Sequence, residues 1–206
     1  WVSFDRLDDD PALVLSLLAS AFARAWPADA GLIADVSGAG VSVLGRAAPR
    51  LASAFKASPV PFVVMLDDLH ELRSPACHDV LSVVISGIPQ GSQLVAASRF
   101  EQPHLPRLRA SGDAMEFMAA DLALDPAGAE QIFSQAHVSL TRELAAAVTE
   151  RTEGWPAGLY IAAVIAVGND GEPVTVSGDD RWVADYLYRE SLVRLPEGVQ
   201  RFLRRT

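Results

Sequence analysis

The run Phe62-Val63-Val64-Met65-Leu66, bounded by Pro61 and Asp67, constrains the fold of this chain most. Five consecutive apolar residues without alternation suit a strand buried on both faces. Such strands belong to parallel sheets covered by helices. A second run, Gln93-Leu94-Val95-Ala96-Ala97, has the same character and ends at Ser98-Arg99. Between them, residues 75–85 read as a helix. Strand–helix–strand alternation predicts a doubly wound α/β layer. Trp1-Val2-Ser3-Phe4 is expected to be a further short strand, and residues 115–118 one more.

Helix signals fill the rest. Asp10 can accept a hydrogen bond from an orphan amide and Pro11 suits a first helical position. Leu13, Leu17, Ala21 and Phe22 follow at helical spacing, and Trp26-Pro27 closes the segment. Residues 41–57 read as helical, with Pro49 expected to kink or divide them. After Asp121 the pattern becomes all-helical, with helices expected at 126–136, 140–152 and 156–167. A Gly/Asp/Asn-rich linker is expected at 168–178 and a helical block at 180–195. Pro196 opens a last amphipathic stretch with Val199, Phe202 and Leu203. The fold class is therefore α/β followed by all-α.

Composition narrows the function classes. The chain has 206 residues, half of them hydrophobic, enough for a sizeable core. Its formal net charge of −9 repels a phosphate backbone, which disfavours a DNA-binding domain. No apolar run reaches the roughly 18 residues of a membrane span. A cytoplasmic setting is expected, and the single cysteine, Cys77, fits a reducing compartment. The sequence begins at Trp1 rather than Met and is expected to be a fragment or a processed form.

Three segments can carry chemistry. Asp67-Asp68 closes the first buried run, and ligands of open parallel sheets bind beyond the carboxyl ends of strands. Two carboxylates there can hold Mg²⁺ and polarise a water at a nucleotide's terminal phosphate. An acidic turn that merely ends a strand is the plainer reading. Arg99 follows the second run and can read a phosphate bidentately, or pair with any nearby acid. Glu153-Gly154-Trp155-Pro156-Ala157-Gly158-Leu159 marks a helix junction, with Trp155 expected in the core. His70, His78, His104 and His137 show no zinc-ligand spacing, and Asp8-Asp9-Asp10 reads as a solvated loop and cap.

Taken in order, these segments resemble the signal-transduction ATPases with numerous domains, in the MalT-like branch of the LuxR family. WVSFDRLDDDP looks like the strand and loop after the first helix of that P-loop NTPase core. VVMLDDLHEL looks like its Walker B strand, QLVAASR its sensor strand, and EGWPAGL its most specific mark. YLYRESLVRLPEGVQRFLRRT looks like the start of its winged-helix region. The resemblance spans essentially the whole chain. It implies an incomplete α/β NTPase core over residues 1–120, a helical lid over 121–172 and the start of a winged-helix region over 173–206. It implies that Asp67 and Asp68 serve Mg²⁺ and the hydrolytic water, that Arg99 senses the γ-phosphate, and that Pro156 packs near the adenine. The function implied is the ATP-dependent switch of a transcriptional regulator, which reaches DNA only through a helix-turn-helix beyond Thr206. Some bacterial serine/threonine kinases carry the same module.

One departure is decisive for chemistry. The phosphate loop G-x-x-x-x-G-K-[ST] cradles phosphates with backbone amides and a lysine. No such motif is present, and Lys56, the only lysine, lies in Phe55-Lys56-Ala57-Ser58 without a glycine frame. The loop and its strand are expected upstream of Trp1. Without it this stretch is expected to hold neither ATP nor Mg²⁺ well. An ATPase-like interaction module that never binds nucleotide is the alternative. Loss of the central strand is expected to leave residues 94–97 with a bare edge, filled either by strand 115–118 or by another chain.

Overall fold

The computed structural model describes residues 1–26, 31–38, 40–168, 195 and 197–203. They form two compact units, Trp1–Met115 and Glu116–Thr206. The expectations for residues 169–194 lie outside the described residues.

The first unit is built on a three-stranded parallel sheet, β1 (Val2–Ser3), β2 (Val63–Asp67) and β3 (Gln93–Ala96), in that order. The helices are α1 (Pro11–Ala25), α2 (Leu32–Ser37), α3 (Ala48–Lys56), α4 (Pro75–Ile85) and α5 (Leu105–Ser111). Asp10 starts α1 as expected: its carboxylate accepts from the Ala12 and Leu13 amides, both at 3.0 Å. Pro49 sits in the first turn of α3 rather than inside a longer helix. The residues before it, Val43–Ala47, wind as a π-helical turn in which the Ala47 amide reaches the Ser42 carbonyl at 3.0 Å.

Parallel register puts Val2, Leu66 and Ala96 side by side on one face, with Val64 beside Leu94. Against that face pack Val14, Leu15 and Leu18 of α1, Leu51 and Phe55 of α3, and Val80, Leu81 and Val84 of α4. Burying one such side chain stabilises by about 1.5–3 kcal/mol. Phe22, Phe55 and Phe62 meet with ring centroids 4.8–5.6 Å apart, tying α1 and α3 to the start of β2. At Gly87 a Cβ would lie 2.5 Å from the Ala52 carbonyl oxygen, so the end of α4 approaches α3 as closely as glycine permits.

The opposite face departs from the doubly covered sheet expected. Val63 is 56% exposed and Val95 44%, and Met65 is exposed beside Val95. Within the first unit, α1 to α4 share one core with Val2 and Leu66, so an apolar run signals burial only on the side that helices cover. Residues 115–118 also depart from expectation, because they form no strand. The Asp121 carboxylate accepts the Met118 amide at 2.8 Å, and this cap draws the chain into α6 (Ala119–Leu122). Among the described residues, the outer edge of β3 has no partner strand.

The second unit packs α7 (Pro126–Gln135), α8 (Arg142–Thr152) and α9 (Pro156–Gly168) around Phe133, Val138, Ala162, Ala163 and Ala166. Asp125 and Thr141 cap α7 and α8 through the Gly128 and Leu144 amides. A short helix α10 (Glu197–Leu203) ends the described chain. No helix among the described residues is long and apolar enough to cross a membrane.

Candidate functional site at the carboxyl end of the sheet

Strand β2 delivers Asp67 to the carboxyl end of the sheet, on the face opposite the helical layer. One Asp67 carboxylate oxygen accepts the Asp68 amide at 2.9 Å. Asp68 adopts φ +52°, a left-handed conformation that aspartate tolerates better than most residues. The chain breaks there from strand into the tight turn Leu69–Glu71. This leaves Asp67 half-buried and the Asp68 side chain partly exposed at the strand end.

Strand β3 brings the second segment to the same place. The Ala97 amide donates to the Leu66 carbonyl at 2.8 Å, and the Leu69 amide donates to the Ala97 carbonyl at 3.0 Å. These two bonds lace the turn after β2 to the turn after β3. Arg99 lies two residues further on and is exposed. Ser98 holds the turn together by donating to the Phe100 carbonyl at 2.7 Å. Asp67, Asp68 and the Arg99 turn therefore share one end of the sheet.

His70 belongs to this cluster, although zinc-ligand spacing does not single it out. It is 94% buried, since its relative exposure is 6%, and it contacts the Phe100 ring edge-on at 6.0 Å. Its ring nitrogens lie 3.8 Å from an Asp68 oxygen and 3.6 Å from a Glu71 oxygen. Both distances exceed a hydrogen bond, and both nitrogens are buried without a hydrogen-bond partner. Buried polar atoms in that condition are uncommon. The pattern Asp-Asp-x-His straight after a buried strand was the available signal.

The junction residues stand in the second unit. Glu153 and Gly154 both have positive φ, +52° and +70°, and end α8 with the Gly154 amide on the Thr149 carbonyl at 2.9 Å. Glycine is required at 154: a Cβ would lie 2.4 Å from the Leu124 carbonyl oxygen. Pro156 opens α9 as expected and is exposed. Trp155 corrects the expectation of a core residue, being 41% exposed. Its indole lies along the first turn of α9, where a Cβ on Gly158 would come within 2.7 Å of the ring. One part of the ring covers Gly158. Among the described residues, no three His, Cys, Asp or Glu side chains gather as a metal cage.

No protein-family model and no curated protein matches this chain.

Proposed function

We propose that this chain forms part of a nucleotide-dependent switch module, of the kind found in MalT-like regulators. The observation that carries the reading is the lacing of the Asp67-Asp68 turn to the Arg99 turn at the carboxyl ends of adjacent parallel strands. An acidic turn and an arginine-bearing turn at the same end of the sheet offer the two kinds of group that a nucleotide's phosphates need, a cation ligand and a positive donor. The Asp67 carboxylate fits Mg²⁺, which commonly takes one or two protein carboxylates and completes its shell with phosphate oxygens and water. Bound Mg-ATP supplies the phosphoryl group. Asp67 would hold the cation, Asp68 would orient a water, and Arg99 would pair with a terminal phosphate oxygen. Pro156 is assigned to the adenine end by resemblance alone.

A second reading has its own support. These residues contain no phosphate loop, and the sheet shows an apolar face and an open edge. Both features suit a module that only packs against partners.

Hydrolysis separates the two readings. In the natural protein carrying this sequence, Asp67→Asn and Asp68→Asn are expected to slow ATP turnover by about 10²-fold or more while changing nucleotide affinity far less. Wild-type turnover in both variants removes the catalytic assignment.

A further inference from the structure

We propose that the His78–His104 ring pair is a pH-sensitive clamp that holds the segment of residues 98–111, including α5, against α4 and releases it on acidification.

None of the seven residues of α5 is buried. His104, at its N-cap, reaches α4 twice. Its ring meets that of His78 with centroids 5.6 Å apart, and its Nδ1 shares a hydrogen bond of 3.0 Å with the Ser82 hydroxyl. His78 and Ser82 stand four residues apart and so lie on one face of α4. The Nδ1 of His78 and the Nε2 of His104 are buried with no hydrogen-bond partner.

That geometry suits two neutral imidazoles and penalises a cation. A proton on His104 Nε2 would create a buried, charged N–H with no acceptor. Burial first, and then the neighbouring His78, hold His104 below the ordinary histidine value; Asp79, which is exposed, pulls weakly the other way. The other charged residues within five positions of the two histidines are Arg73, Arg99, Glu101, Arg107 and Arg109, of which Glu101 and Arg109 pair at 3.4 Å. Because the docked state takes up the proton less readily than the released state, docking is complete above about pH 6.5 and weakens as pH falls below it. One titrating group changes the opening equilibrium by up to about tenfold between pH 7.5 and 5.5. If the switch reading holds, the clamp also governs Arg99, which lies on the released segment.

Native-state amide exchange tests the clamp without any nucleotide. The Leu108, Gly112 and Asp113 amides report on α5 through their bonds to the His104, Arg109 and Leu108 carbonyls. The Leu81 and Val84 amides of α4 serve as reference. After correction for intrinsic rates, opening of α5 is expected to rise roughly five- to tenfold from pH 7.5 to 5.5, with α4 unchanged. His104→Gln keeps a partner for Ser82 without titrating and is expected to abolish the rise. His78→Gln removes the neighbour that helps to hold His104 below the ordinary histidine value and is expected to reduce it. Equal pH responses in α4 and α5, or a rise that survives in both variants, overturns the proposal.

Discussion

Gly154 shows how much a single backbone position fixes. Its φ of +70° and the 2.4 Å approach to the Leu124 carbonyl leave no room for a side chain. Gly154→Ala is expected to destabilise the chain by about 1–3 kcal/mol from left-handed strain alone, read as a lower urea midpoint at unchanged slope. Cys77 makes a different point. Its thiol is fully buried, and burial, followed by the Asp9 carboxylate, pushes it up to about 11. The same Asp9 carboxylate accepts the Arg73 and Ser74 amides at 3.0 and 2.8 Å, and so fastens the chain entering α4 across 64 residues of sequence. At pH 8 the native thiol should alkylate about 100-fold more slowly than in the denatured chain, because two units of pKa remove that much thiolate. Mass spectrometry of iodoacetamide-treated samples with and without urea checks it. Since the folded value is raised, the associated stability is present below the unfolded thiol value of about 8.5–9 and fades as pH climbs toward 11. Asp10 and Gly154 were legible in the sequence because their causes are local. His70 and Asp9 were not, because their partners arrive through the fold.

Elements divide the same way. Apolar runs located β2 and β3, and cap residues with helical spacing located α1, α4, α7, α8 and α9. What the runs could not encode was sidedness. Val63, Met65 and Val95 are as apolar as Val64 and Leu66, yet only the latter pair faces helices. Residues 115–118 have strand composition, but strands need a partner, and the Asp121 cap offered the Met118 amide a nearer one. That outcome removes one of the two routes expected for the β3 edge and leaves pairing with another chain. The edge Gln93–Ala96 carries no lysine and no proline, the usual protections of a strand margin. Sedimentation velocity at tens of micromolar is therefore expected to show concentration-dependent association of this chain, reduced by Val95→Lys. A wild-type chain that stays monomeric across that range contradicts the expectation.

At the scale of the whole molecule, a small parallel sheet with helices on one face is followed by a helical unit. That order was legible, since strand runs stop before Asp121 and helical spacing takes over. The candidate site was legible only as a set of residues in sequence order, because sequence order says little about which turns meet. The Ala97–Leu66 and Leu69–Ala97 bonds join two of the three segments, and Pro156 stands in the other unit. These 206 residues hold no glycine-framed lysine, so taken alone they are expected to bind Mg-ATP more weakly than micromolar. The central claim is that the Asp67–Arg99 end of the sheet serves a nucleotide's phosphates. Calorimetric titration of Mg-ATP and Mg-ADP into the natural protein carrying this sequence tests it most directly, with wild type beside Arg99→Ala. The account predicts micromolar ATP binding that Arg99→Ala weakens by about tenfold or more, as loss of a charge-assisted hydrogen bond requires, with ADP affinity unchanged. No ATP binding at millimolar concentration, or ATP affinity untouched by Arg99→Ala, contradicts it.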